Sequence, residues 1–446
     1  MKWLQYRLTL MLGLALLLVA GSLVLFPALV QTEAPPAPLA NPADVLAAGV
    51  TTGGYADRVI AETKTKLQSF PANDSLLAQL GMAYLQKARE TNDPTYYTQA
   101  ATVLQQALAI NQASFNATAA MGSLNLSRHQ FPQALDWGLK AQRLSPTQAY
   151  AYGVIGDAQI ELGDYPMAVD TFQRMVDLRP DLSSYSRVSY ARELYGDVDG
   201  AITAMGQAAT AGGPAPENAG WTHWQLGNLY FNRGQLAQAE QEYNTALAAY
   251  PGYLHALAGL AQVRAAQGRP ADAVALYKQA IAVVPLPQYV SALGDLYAST
   301  GDAANAKTQY DQVEYIYQLF AVNGVETGIE KAAFLADQDR DAAQAVALAQ
   351  AAAGWRHDIH TEDTLAWALY RAGKYTEALA AEQQALRLNT QNALFYFHLS
   401  MIDDKLGDVA QSRSNVQKAL AINPYFSVKY GPQARALLSK LSQPSK

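Results

Sequence analysis

A small residue returns at nearly regular spacing along most of this chain, and that periodicity limits the folds the chain can adopt. The intervals run from 33 to 41 residues, and a second series, almost entirely alanine, follows the first by 12 residues in nine of ten cases. A period of this length predicts a supersecondary unit that stacks on copies of itself. The first series is Gly81, Gly122, Gly156, Ser189, Gly227, Ala261, Gly294, Glu330, Ala366 and Ser400. The second series is Ala100, Ala134, Ala168, Ala201, Ala239, Ala273, Ala306, Ala342, Ala378 and Ser412.

The segment 224–251 shows the unit most clearly, as two helical patterns joined by a turn. Gly227 belongs to the first pattern and Tyr243 to the second. Between them, Gly234 permits the backbone angles of a turn, and Pro251 ends the second pattern because proline cannot continue a helix. Small residues let two helices approach closely, while larger neighbours fill the space beside them. The unit is therefore predicted to be a pair of packed helices.

The composition supports packed helices and excludes several kinds of chemistry. Half of the 446 residues are hydrophobic and only 16% are charged. Alanine dominates the hydrophobic class, which favours close helices over sheets. The chain has no cysteine, so disulfides, thiolate metal ligands and a cysteine nucleophile are excluded. The net charge of −6 and the lack of a Lys/Arg run predict no nucleic-acid partner.

The repeated pattern in residues 73–426 resembles the tetratricopeptide repeat family. The resemblance implies an all-α, right-handed superhelical solenoid of about ten helix-turn-helix repeats, in which each pair contacts only its neighbours. We expect repeats 1–4 in residues 73–213, repeats 5–10 in residues 214–426, and a capping helix and tail in residues 427–446. A stack needs such a cap because its last repeat otherwise exposes an apolar face.

Some stretches depart from the regular pattern or carry further information. Glu330 occupies a small-residue position, so the eighth repeat is predicted to be degenerate. The Gly/Pro-rich segment 212–216 lengthens one interval and is a candidate joint between two half-arrays. Segments 363–385 and 391–424 resemble the terminal repeats of many bacterial tetratricopeptide proteins, which predicts a bacterial source.

An uncharged stretch of 23 residues, 8–30, follows two basic residues near the start of the chain. About 20 apolar residues span a bilayer, so residues 1–30 are predicted to be a transmembrane signal anchor. The positive flank predicts a cytoplasmic N-terminus and an extracytoplasmic repeat region in a single-pass protein of the bacterial cell membrane. The alternative is a cleaved signal peptide, with residues 20–22 as the cleavage site. Residues 31–72 are predicted to form a Pro/Ala-rich linker and a leading helix.

Motifs for catalysis are missing from the sequence. It has no Gly-rich phosphate loop, no GxSxG and no HExxH, so we expect no enzymatic activity, no catalytic residue and no cofactor. The only histidine cluster, in residues 356–363, offers two histidines and several carboxylates to a metal. A helix start explains the same residues, because Thr361, Glu362 and Asp363 are typical of a position that caps free N–H groups. No metal site is therefore predicted.

The concave surface of such a solenoid is lined by the first helices of the repeats, as the resemblance implies. Asparagine there can bond a peptide backbone, and aromatic rings can hold apolar side chains. Packing between repeats is the alternative role of the same aromatic residues. The other inward positions are small or acidic, which favours an uncharged or basic partner segment. The candidate partner-binding residues are Tyr190, Trp221, Trp224, Asn228, Phe231, Asn232, Trp367, Tyr370 and Arg371.

The sequence therefore predicts a non-catalytic, membrane-anchored scaffold. It is expected to bind a protein or peptide partner through the concave surface, in the assembly or maturation of an envelope complex. The alternative is a binding module for a glycan or small ligand, built on the aromatic residues around the fifth repeat.

Overall fold

The computed structural model describes residues 54–91, 93–213 and 215–443, which contain 22 α-helices and no strand. The predicted all-α helical repeat solenoid is confirmed. In chain order the helices are α1 Tyr55–Ser69, α2 Asp74–Thr91, α3 Thr95–Ile110, α4 Phe115–Ser127, α5 Phe131–Leu144, α6 Ala149–Leu162, α7 Tyr165–Leu178, α8 Leu182–Leu194, α9 Val198–Ala211, α10 Pro216–Asn232 and α11 Leu236–Ala249. They continue with α12 Leu254–Ala266, α13 Pro270–Val283, α14 Pro287–Ser299, α15 Ala303–Val322, α16 Gly328–Asp337, α17 Ala342–Ala353, α18 Ile359–Arg371, α19 Tyr375–Ala385, α20 Ala393–Leu406, α21 Val409–Ile422 and α22 Tyr430–Leu441.

The predicted anchor, residues 1–30, and the linker as far as residue 53 lie outside the described residues. Among the helices that are described, none is long and apolar enough to cross a membrane.

Helices α2 to α21 form ten successive pairs, from α2 with α3 to α20 with α21. Helix α1 packs on α2 at one end of the array, and α22 packs on α21 at the other. Helices α9 and α10 pack on each other across the Gly/Pro-rich segment. Neighbouring pairs also pack on each other, so the hydrophobic core runs along the whole described array.

The recurring small residues stand where two helices of a pair come closest. A Cβ atom on Gly156 would lie 2.2 Å from the ring of Phe172, and one on Gly227 would lie 2.4 Å from the ring of Tyr243. No side chain fits at such distances without displacing the ring. The glycines are therefore required by the close approach of helices, as the sequence pattern predicts.

The eighth pair, α16 and α17, carries its buried small residues at other positions than the sequence pattern indicated. Gly227 lies five residues before the end of α10 at Asn232, and the equivalent position in α16, five before Asp337, is Ala332. Ala332 is fully buried, as is Ala345 in α17, whereas Glu330 is partly exposed. The register that placed Glu330 at the small-residue position was thus wrong by two residues. The cause is α15, which at 20 residues is longer than the second helices of the other pairs.

Pairs that are six apart in sequence also touch, which the sequence did not predict. In each of pairs two to five, the turn between the two helices touches a segment further along the chain. For pairs two, three and four this is the segment before pairs eight, nine and ten, and for pair five it is the segment before α22. The contacting residues are 192 to 198 positions apart. The expectation that each pair contacts only its neighbours is wrong here, because successive turns of the solenoid lie against each other. The hydrogen-bonded contacts are Glu326 N–H to Arg128 O at 3.0 Å, Ile359 N–H to Tyr165 Oη at 2.7 Å, Thr390 Oγ1–H to Leu194 O, and Asn423 Nδ2–H to Phe231 O at 2.8 Å.

Candidate functional site

Two adjoining cavities lie where the turns of the solenoid meet. Their volumes are about 600 Å³ and about 380 Å³, and both are lined by His129 and Glu330. The larger cavity is lined chiefly by Pro94, Tyr97, Ser127, His255, Pro287, Gln288, Ser291, Ala292, Asp295, Tyr317, Phe320, Thr327, Ala333, Phe334 and Asp337. The smaller is completed by Leu126, Phe131, Asp157, Ile160, Glu161, Tyr190 and Arg356. We refer to the two together as the inner cavity.

The first helices of the pairs supply most of this lining. In α14, Gln288, Ser291 and Asp295 recur at intervals of three and four residues, which places them on one face of the helix. In α16, Glu330 and Asp337 are seven residues apart and therefore also lie on one face of their helix. The family resemblance implied that the first helices line the concave surface. Most residues that line the inner cavity do belong to first helices.

Acidic groups outnumber basic ones along the inner cavity. Among the described residues that line it, the acidic ones are Asp157, Glu161, Asp295, Glu330 and Asp337, and Arg356 is the single arginine or lysine. Burial raises the pKa of Asp337, whose carboxylate accepts hydrogen bonds from Tyr430 at 2.7 Å and from Trp367 at 3.1 Å. Two of these carboxylates have cations outside the lining as partners, since Arg187 lies 2.6 Å from Asp157 and Lys429 lies 3.7 Å from Asp295. The remaining excess of negative charge favours a partner that brings positive charge or N–H donors.

The side chain of His255 adds an uncharged polar group to the larger cavity. Burial lowers its pKa to about 4, so the imidazole is neutral at pH 7. One ring nitrogen, Nδ1, lies 2.5 Å from the hydroxyl of Tyr289, and the ring packs 4.7 Å from that of Trp224. His255 thus presents a hydrogen-bonding ring to the cavity without opposing its negative charge.

A cluster of charged side chains, His129, Glu330, Arg356 and Glu161, joins the two cavities. Burial alone would raise the pKa of Glu330, but the hydrogen bond and charge of His129 outweigh it and lower the pKa. Burial likewise opposes protonation of His129, yet the hydrogen bond and charge of Glu330 raise its pKa. Burial raises the pKa of Glu161 to about 7, against the attraction of Arg356. This cluster therefore contains a carboxyl group, Glu161, that changes protonation near pH 7, and an imidazole, His129, whose pKa is raised above its ordinary value.

Arg356 is the centre of that cluster and ties two turns of the solenoid together. Its side chain is only 12% exposed, and its guanidinium lies 2.6 Å from Glu161, 2.8 Å from Asp358 and 3.8 Å from Glu330. It also lies 4.8 Å above the ring of Phe131. Three carboxylates and an aromatic face hold this one cation, so its removal leaves partly buried negative charges without a partner.

The residues predicted around the fifth repeat are spread over core and surface. Tyr190, in the fourth repeat, lines the smaller cavity. Trp221 and Trp224 are half-buried, and Phe231 is buried. Asn228 is engaged within its own pair, where it accepts a hydrogen bond from the hydroxyl of Tyr243 at 2.9 Å. The side chain of Asn232 is exposed and donates to Glu193 at 3.4 Å. Of these residues, only Tyr190 lines the inner cavity directly.

The predicted residues of the ninth repeat form a stack. Trp367 and Tyr370 are buried, with parallel rings 4.7 Å apart, and the guanidinium of Arg371 lies 4.6 Å from the Trp367 ring. The ring of Trp367 also stacks on the ring of His398 and meets the ring of Tyr430 edge-on. This arrangement fits packing between pairs nine and ten, and partner binding at these three residues stays a prediction.

The histidine cluster at 356–363 is organised around a helix start. Helix α18 begins at Ile359, and its cap is Asp358, whose carboxylate accepts from the N–H groups of His360 and Thr361. The cap therefore lies before the Thr361–Asp363 segment from which the sequence predicted it. A different set, Asp363, Glu382 and His398, comes close enough to share a metal ion within the described residues, and it does not line the inner cavity.

The paired helices and their regular small residues define a helical-repeat solenoid. More specifically, family models described as tetratricopeptide repeat match residues 149–182, 218–285, 259–316 and 364–425. These segments of the chain are thus tetratricopeptide repeats. A search of curated proteins finds no match.

Solved structures with similar folds come from several proteins. The human IFIT1 dimer with PPP-AAAA aligns with a TM-score of 0.48 and 16% identity, over 71% of this chain and 73% of that one. The APC/C hetero-tetramer Cut9-Hcn1 aligns with a TM-score of 0.37 and 13% identity, over 87% and 96%. PilW, described as a type IV pilus biogenesis factor, aligns with a TM-score of 0.39 and 18% identity, over 46% and 94%.

Proposed function

We propose that this chain is a non-catalytic scaffold that binds an extended, basic or uncharged peptide segment of a partner protein in the inner cavity. The observation that carries the proposal is the acidic lining of a cavity of about 600 Å³ built from first helices. Lysine, arginine and backbone N–H groups of a peptide are the donors that such carboxylates accept. Ser291 and Ala292 leave space between the acidic groups for a peptide backbone.

The test is a binding measurement on the full chain with labelled peptide pools. One pool is rich in Lys and Arg, one is neutral and one is rich in Asp and Glu, and fluorescence anisotropy reports the affinity of each. We expect the basic pool to bind most tightly and the acidic pool most weakly, with affinity falling as salt rises. Equal affinity for the three pools would contradict the proposal.

Two variants locate the site. Ser291→Tyr fills the larger cavity and is expected to abolish binding, whereas Ala304→Tyr, at an exposed position of α15, is the control and should not. Asp295→Asn keeps the hydrogen-bond acceptor for Tyr310 and removes one charge, so the basic pool should bind about 3- to 10-fold more weakly. Glu377→Gln, on the exposed side of α19, is the charge control.

The second candidate is a small ligand such as a glycan. The volume of the larger cavity lies within the range of small-molecule sites, roughly 300–1,000 Å³, and Trp224 is half-buried beside the cavity-lining His255. Saturable binding of a saccharide that is lost in Trp224→Ala, together with peptide binding that is indifferent to Ser291→Tyr, would favour this candidate.

We further propose that residues 8–30 anchor the scaffold in a bacterial cell membrane, with the repeats on the extracytoplasmic side and a role in an envelope complex. The support is the length of that uncharged stretch and the basic residues before it. Protease added to spheroplasts should then degrade the repeat region. Survival of that region in intact spheroplasts would contradict this placement.

A further inference from the structure

A carboxyl group occupies a core position of the ninth pair where every other pair has an uncharged residue. Glu382 lies four residues after Ala378 in α19 and is completely buried. The corresponding positions of the other second helices hold Leu104, Gly138, Phe172, Met205, Tyr243, Tyr277, Tyr310, Ala349 and Val416. A charged or protonated carboxyl group in such a place is costly unless something binds it.

Two further ligand-type side chains converge on Glu382. Asp363 comes from α18 and His398 from α20, and both are buried. The ligand atoms of the three residues all lie within 4.8 Å of one another, and Asp363 Oδ1 is 2.8 Å from His398 Nδ1. Three helices of two successive pairs therefore meet at one polar point inside an otherwise apolar core.

The hydrogen bonds within this group leave it incomplete. Among the described residues, neither carboxylate oxygen of Glu382 has a hydrogen-bond partner, and His398 Nε2 has none. Burial and the charge of Asp363 both raise the pKa of Glu382 well above its ordinary value. The group thus has buried lone pairs without a hydrogen-bond donor and too little positive charge to balance two ionised carboxylates.

We propose that Asp363, Glu382 and His398 bind a divalent metal ion of the zinc class, which fastens pairs nine and ten together. One imidazole nitrogen and two carboxylate oxygens suit Zn²⁺, with bond lengths of about 2.0–2.2 Å. Ligand atoms around such an ion are about 3.5 Å apart, so the three side chains close on it by small rotations from their present separation. Trp367 stacks on the ring of His398 with centroids 4.0 Å apart and holds its plane.

The experiment compares the full-length wild type with Glu382→Gln, which keeps the size of the side chain and removes the carboxylate. Elemental analysis after purification in zinc should find about one zinc per chain in the wild type and none in the variant. Adding zinc to the chelator-treated wild type should raise the melting temperature by about 3–5 °C, and the variant should show no such rise. Glu377→Gln, an exposed substitution in the same helix, should behave as the wild type.

Two results would overturn the proposal. The first is a wild type that retains no zinc and melts at the same temperature with zinc and with chelator. The second is a Glu382→Gln variant that binds zinc as the wild type does. A metal-independent wild type that becomes more stable on Glu382→Gln substitution at pH 7 would assign the cluster to a shared proton in place of the ion. A wild type that retains no zinc overturns the proposal even if the variant fails to fold.

Discussion

Replacing Arg356 by methionine tests the contact between turns of the solenoid. Methionine keeps much of the side-chain volume and removes the charge that Glu161 and Asp358 share. Removing one partner of a buried ion pair costs about 3–5 kcal/mol, and an exposed pair is worth about 0–1 kcal/mol. Arg356 is 12% exposed and Glu161 is 27% exposed, so we expect a loss of about 2–3 kcal/mol at this contact.

The assay is amide hydrogen exchange, because long repeat arrays do not always unfold in one step. The N–H of Ile359 donates to Tyr165 Oη, and that of Glu326 donates to Arg128 O, so both report on the contact directly. A loss of about 2–3 kcal/mol should accelerate their exchange roughly 30- to 150-fold. Amides of α12 and α13, which belong to another part of the array, should be unchanged.

A double substitution and a surface control make the result specific. Adding Glu161→Gln to Arg356→Met removes a carboxylate that has lost its partner, so it should recover part of the protection. Lys307→Met breaks an ion pair with Asp311 in which the two side chains are 73% and 50% exposed. It should change the free energy of local opening by less than about 0.5 kcal/mol. The reasoning is refuted if Arg356→Met has no more effect than Lys307→Met, or if Glu161→Gln makes the loss larger.

Two further predictions concern packing and pH. Gly156→Ala should lower stability by about 1–3 kcal/mol, because the new Cβ meets the ring of Phe172. Gly206→Ala should raise stability by about 0.5–1 kcal/mol, because no atom lies within 4 Å of its new Cβ. Thermal melts measure both changes. The raised pKa values of Glu161 and His129 mean that the folded chain holds protons which the unfolded chain releases, so stability should fall as pH rises from about 4.5 through 7 and beyond. The fall should be shallower in Glu161→Gln, and a stability that rises with pH over this window would contradict the assignment.

The sequence predicted those features that depend on contacts close along the chain. Gly156 and Gly227 each make room for a ring only 16 positions further along the chain, on the second helix of the same pair. The spacing of such glycines located the pairs. The capping helix at Tyr430–Leu441 follows from its apolar spacing in the same way. The register of the eighth pair was misplaced because a longer α15 shifts the pattern without leaving a gap in it.

The inner cavity was only partly visible in the sequence. Asp157 and Asp295 are among the acidic inward positions of first helices that the sequence pattern indicated without singling them out. The contribution of His129 and Arg356 depends on contacts between residues about 200 apart in the chain, and no local pattern encodes those. Aromatic spacing also does not distinguish a groove from a core, which is why buried Trp367 matched the same pattern as half-buried Trp224.

The central claim is that a basic peptide segment binds inside the solenoid, in the cavity between its turns. The most direct measurement is hydrogen exchange of the full chain with and without a saturating basic peptide. The account predicts slower exchange in α14 and α16, whose side chains line the cavity, and no change in the exposed residues of α19. Protection confined to the second helices, with α14 and α16 unaffected, would contradict it.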